Sequence, residues 1–83
     1  MVKKECLAPS GKLGIVIENS VDGPRIYEVK MNSVLKNLIF RGDTIIAIDN
    51  SETNMMDASE CTKLLLNNIG KKRRIQVLRP SVV

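Results

Sequence analysis

The chain contains no histidine and no tryptophan, a single tyrosine and a single phenylalanine, and two cysteines, Cys6 and Cys61, far apart in sequence. Without imidazole, and with no hydroxyl or thiol beside a recognisable base, the usual nucleophile and general-base pairings are missing. Asp43, Asp49 and Asp57 stand in turn and helix-cap contexts rather than in a catalytic cluster. Neither a CxxC nor a Cys/His spacing occurs, so no zinc site, redox motif or cofactor is implied, and buried free thiols are the plain reading of both cysteines. An aromatic share of 2% leaves no stacking platform for single-stranded nucleic acid. No apolar run approaches the roughly 20 residues of a membrane span. Nor does Met1-Val2-Lys3-Lys4-Glu5 lead into a signal-peptide core, so the expected location is cytoplasmic.

What is present describes one small domain. The 83 residues, 43% hydrophobic and 27% charged, fit a single unit over 1–83, with a core at about 3–79 and a tail or linker at 80–83. A chain of this size buries only about 60 to 65% of the surface its unfolded form exposes, so its core is small. The net charge of +4 suits an acidic partner: a peptide carboxylate, a phospholipid or a nucleic acid. The run Lys71-Lys72-Arg73-Arg74 reads as a solvated loop entering an edge strand. The scarcity of aromatics counts against nucleic acid, and an anionic membrane surface is a weaker secondary option.

Along the chain, Lys3–Leu7 is an expected edge strand, followed by a turn at Ala8-Pro9-Ser10-Gly11. Leu13–Glu18 is a β-branched strand with Leu13, Ile15 and Ile17 on one face. The polar turn Asn19–Pro24 returns it to a strand over Arg25–Lys30, forming a hairpin. Ser33–Asn37 reads as one helical turn with Ser33 as N-cap. Thr44–Ile48 ("TIIAI") is apolar enough to be buried on both faces, and Asp49-Asn50 tolerates a left-handed turn. The spacing of Ala58, Cys61, Leu65 and Ile69, with Leu64 beside them, predicts a helix over Ala58–Asn68, capped by Asp57 and Glu60 and stopped at Gly70. A last strand, Arg73–Arg79, places Ile75 and Val77 on one face and ends at Pro80. The sum is an α+β or small, partly open β-barrel domain.

Gly14 is out of place in a strand of Leu, Ile and Val. One reading is a bulge or a crowded packing point. The other is a concave set of backbone donors at Leu13, Gly14 and Ile15, suited to a carboxylate, with the backbone left bare for the anion's approach.

The order of "KLGI" with its strand "VIEN", "RIYEVK", "RGDTIIAIDN", the capped helix from Ala58 and "RIQVLR" resembles a PDZ domain over about Lys3–Arg79. The resemblance implies five to six strands capped by one short and one long helix. It further implies a groove between the strand 13–18 and the helix 58–68 that takes the C-terminal peptide of a partner protein as an added strand. Carried over, the amides of Leu13, Gly14 and Ile15 hold the carboxylate. Lys12, or a lysine of Lys3-Lys4, adds charge, and Leu13, Ile15, Ile17 and Leu65 form the side-chain pocket. An alternative is the same fold as the regulatory or substrate-presenting part of a larger protease.

The sequence departs from the family pattern at Lys12 and Ile15, where glycine and phenylalanine are usual, and at Ala58, where many members carry a histidine that bonds a ligand Ser or Thr. Alanine makes no such bond. Thr62, one turn along, offers a hydroxyl, although bonding its own helix is the plainer role. The tail Pro80-Ser81-Val82-Val83 ends in an apolar residue, so self-association of one tail in another groove stands beside its reading as a linker.

Overall fold

The computed structural model describes residues 1–80. The expected self-association through the 80–83 tail falls on residues of which 81–83 lie outside the described ones. Six strands and one helix follow in the order β1 (Val2–Ala8), β2 (Ile15–Ser20), β3 (Gly23–Val29), β4 (Thr44–Ile48), β5 (Ser51–Glu52), α1 (Ala58–Asn67) and β6 (Arg73–Arg79). They form one antiparallel sheet with spatial order β1-β6-β4-β3-β2, and β5 pairs with β4. The apolar strand β4 sits in the middle, with Ile45 and Ile48 in the core. The sheet does not close, so β1 and β2 are its two edges.

Turn chemistry sets the connections. Val21-Asp22 link β2 to β3, and Gly23 takes a φ of 116° while its carbonyl accepts from Ser20 Oγ at 2.6 Å. Asp49 and Asn50, with φ of 49° and 69°, make the left-handed turn that their side chains favour and lead into β5, a two-residue strand too short to leave a pattern in sequence.

Residues 33–39 correct the expectation of a second, short helix. Ser33 Oγ accepts from Leu35 N–H as a cap does, but the bonds that follow, from Lys36 to Ser33 and from Leu38 and Ile39 to Leu35, are those of isolated turns with no continuous helical ladder. Asn37 then adopts a φ of 71°, which breaks any helical continuation. The segment still contributes to the core, because its turns bury Leu35 and Ile39.

Helix α1 begins on a complete capping box: Asp57 Oδ1 accepts from Glu60 N–H at 2.8 Å, and Glu60 Oε1 accepts from Asp57 N–H at 3.2 Å. Its end is made by Asn68, not Gly70. The Asn68 side-chain amide donates to the Leu64 carbonyl at 3.1 Å, and Gly70 keeps a backbone outside the left-handed region. Cys61 and Leu65 enter the core with Leu13, Ile26, Ile75 and Val77, while Leu64, Ile15 and Ile17 pack partly buried against it. Ile69 remains 36% exposed, so the buried stripe of the helix is narrower than its spacing suggests.

Candidate functional site

The loop between β1 and β2 is held from three sides. Gly11, with a φ of 98°, donates its N–H to the Ile69 carbonyl beyond the helix end at 2.7 Å. Arg73, 1% exposed, donates from its guanidinium to the carbonyls of Pro9 (2.7 Å), Gly11 (2.6 Å) and Leu65 (3.0 Å). Further on, Lys30 N–H donates to the Gly14 carbonyl at 2.9 Å, and Ser33 Oγ donates to that of Leu13. The carbonyls of Leu13 and Gly14 are thus committed to the 30–33 segment. Among the described residues, their own N–H groups donate to no protein acceptor.

Gly14 precedes β2 rather than lying inside it, with a φ of 70°. A Cβ there would stand 3.3 Å from Cα and Cβ of Ser33, so both backbone conformation and packing call for glycine.

A cavity of about 220 Å³ opens between this loop, β2 and α1. Lys12, Leu13, Gly14, Ile15, Ile17, Thr62 and Leu65 all border it, so seven of the eight expected site residues are brought together. Ala58 does not border it; that residue stands at the helix start, where its N–H donates to Asn19 Oδ1 at 2.6 Å and ties the far end of β2 to α1. Thr62 is exposed, and among the described residues its hydroxyl makes no hydrogen bond, so it does not bond its own helix. Lys3 and Lys4 lie on β1; Lys3 borders a different concavity with Thr44, Gln76 and Leu78, and neither lysine borders the cavity beside α1.

Sequence reasoning missed five lining residues: Gly11, Lys30, Leu66, Ile69 and Arg73. For Arg73 the signal was present. The two-residue period that buries Ile75 and Val77 places Arg73 on the same face of β6. Among the described residues, Lys12, Lys30 and Arg73 give the cavity wall three cations and no carboxylate side chain borders it. Burial holds the Arg73 pKa below its ordinary value, a shift that the more distant Asp49 carboxylate opposes.

Backbone donors without acceptors, an apolar wall and an excess of positive charge can hold an organic anion with an apolar substituent. Among the described residues no group of three or more His, Cys, Asp and Glu is placed to hold a metal ion, and no helix is long and apolar enough to cross a membrane.

The architecture, an open antiparallel sheet with one helix laid along an edge strand, is that of the PDZ-like fold. The PDZ domain of a choanoflagellate GIPC, solved with a B1AR peptide, superposes with a TM-score of 0.88 at 19% identity over 100% of this chain and 96% of that one. The fifth PDZ domain of InaD gives 0.82 at 17% identity, over 100% and 97%. The third PDZ domain of INAD, in complex with a TRP channel tail, also gives 0.82, at 16% identity over 94% and 87%. No protein-family profile and no curated protein sequence matches the chain.

Proposed function

We propose that the chain is a non-catalytic interaction module that captures the C-terminal peptide of a partner protein by adding it as a strand to β2. The observation that carries this reading is the meeting of three features at one place. The unpaired edge of β2, which bonds only β3, starts beside the cavity, at the N–H groups of Leu13 and Gly14 that have no protein acceptor. An extended peptide laid along that edge continues the sheet, its last apolar side chain enters the wall of Ile15, Ile17 and Leu65, and its carboxylate meets the donors. The other edge, β1, carries Lys3 and Lys4, neither of which borders the cavity beside α1, and its lysines suit an edge protected against pairing.

Two of the structural neighbours were solved with a peptide or a channel tail, which supports the same use here. A few main-chain bonds and one buried side chain, set against the ordering of a flexible peptide, correspond to micromolar affinity, about −8 kcal/mol. The test is a library of free C-terminal peptides, with every hit repeated as its C-terminal amide. Amidation is expected to abolish binding. Unchanged affinity of the amides would overturn the reading.

A further inference from the structure

The cavity beside α1 has an unusual wall. Exposed lysines at a pocket mouth are ordinary, and water screens them. Arg73 is different, because it is buried to 1% exposure and, among the described residues, no carboxylate forms a salt bridge with it. Its three acceptors are the neutral carbonyls of Pro9, Gly11 and Leu65, and its Nε–H has no partner. Arg79, at the far end of the same strand and only partly buried, is by contrast matched by the Asp43 carboxylate. The Asp49 carboxylate acts on the Arg73 charge only from beyond salt-bridge distance; a buried cation without a counter-ion in contact is costly, and the cost is relieved when an anion arrives nearby.

We propose that Arg73 is the charged floor of the anion site: it clamps the Pro9–Gly11 loop to the end of α1 and leaves its positive charge to be balanced by the carboxylate of the ligand. The proposal rests on the carboxylate-capture reading and deepens it, because it moves the charge that selects a free terminus from Lys12 to the start of β6. The loop bonds fix where the following donors at Leu13 and Gly14 stand, so position and charge come from one side chain. Arg73 is a positioning residue here. Its electrostatic part reaches across a low-dielectric interior, where it outweighs that of the exposed Lys12.

The test uses nuclear magnetic resonance of the intact chain, titrated with sodium acetate at constant ionic strength and with one free-carboxylate peptide and its amide. The backbone amides of Gly14 and Ile15 report carboxylate binding, and the side-chain Nε–H of Arg73 reports its electrostatic response. In the unmutated protein that Nε–H signal is expected to move with acetate and with the free peptide, in proportion to the Gly14 shift, and to stay in place with the amide. Arg73→Met is expected to weaken acetate and free-peptide binding by about tenfold, equivalent to about 1.4 kcal/mol, whereas Lys12→Gln, which removes an exposed charge, weakens it by a smaller factor of about twofold. Arg73→Lys, which keeps the charge with fewer loop bonds, is expected to fall between them.

Gly14 amide shifts without any Arg73 response, or equal losses in Lys12→Gln and Arg73→Met, would overturn the role of Arg73 and leave carboxylate capture standing. If the Gly14 and Ile15 amides respond to no carboxylate at all, the capture reading fails and the role of Arg73 falls with it. The unmutated protein gives the decisive signals even where Arg73→Met does not fold.

Discussion

Gly14 and Ser33 are locked together: a Cβ on Gly14 would lie 3.3 Å from both Cα and Cβ of Ser33, whose hydroxyl in turn donates to the carbonyl of Leu13. With its φ of 70°, position 14 is strained for L-residues in backbone conformation and tight in packing. Gly14→Ala is expected to destabilise the fold by about 2 kcal/mol, of which the left-handed backbone alone accounts for about 1 to 2 kcal/mol. Urea unfolding monitored by circular dichroism measures it. D-alanine at the same position accepts the positive φ and puts its methyl on the other side of Cα. A chain synthesised with D-alanine is expected to recover most of the lost stability, and its peptide affinity then shows whether the bare backbone also serves the anion.

That pair also marks the limit of what sequence conveys. The glycine was legible as an anomaly in an apolar strand, and both packing and anion approach were open readings. Its partner lies 19 positions downstream, in a segment of turns that reads as one helical turn in sequence because Ser33 is a fair N-cap. Strands with a strong apolar period, β4 and β6, were readable to their ends. Of the site, the donor loop was readable from Gly14 itself, and the β2 face and Leu65 entered through the family resemblance, whereas Arg73 and Lys30 reach the cavity only through sheet order, which no local window contains.

Asp43 and Arg79 are expected to couple strongly. Asp43 is 1% exposed and accepts a fork from Arg79, Nε to Oδ1 at 3.0 Å and Nη2 to Oδ2 at 2.9 Å, with a further bond from Phe40 N–H at 2.9 Å. The guanidinium also lies over the Phe40 ring, 4.6 Å from its centre. Removing Arg79 leaves a buried carboxylate without its counter-ion, so Arg79→Ala is expected to cost about 3 kcal/mol, the low end for a broken buried pair because Arg79 keeps some contact with water. A double-mutant cycle with Asp43→Ala is expected to return a coupling of about 2 kcal/mol. Additive losses would show that the pair acts separately.

The cap of α1 gives a smaller expected loss. Asp57→Ala removes the acceptor of Glu60 N–H and half of the capping box, at about 1 kcal/mol. Asn19→Ala removes the acceptor of Ala58 N–H, but that bond is exposed and water replaces it, so about 0.5 kcal/mol is expected. Chemical denaturation of the two single variants checks the order.

Cys61 makes stability depend on alkaline pH. Burial in the core raises its pKa from the ordinary 9.0 to about 11. The folded state therefore favours the neutral thiol, and the contribution is intact at neutral pH and is lost as pH rises from about 9 towards 11. Two units correspond to about 3 kcal/mol at the upper end. Cys61→Ala lowers stability at pH 7 through its cavity, yet is expected to show a flatter decline above pH 9 than the unmutated chain. Parallel declines in both proteins would assign the alkaline loss to other groups.

Thr62 and Ala58 share one face of α1, but only Thr62 borders the cavity, and its hydroxyl has no partner among the described residues. Ala58 is turned to a different task, its N–H held by Asn19 at 2.6 Å. If peptides bind along β2, discrimination for a polar side chain upstream of the terminus therefore sits one helical turn further along than the family histidine position. Thr62→Val is expected to lower the affinity for peptides with Ser or Thr two residues before the terminus by about fivefold relative to those with Val there, the worth of about one hydrogen bond. Ala58→Gly is expected to leave that ratio unchanged. Fluorescence polarisation with the two peptide sets measures both ratios, and a change in the second without the first would return specificity to the start of the helix.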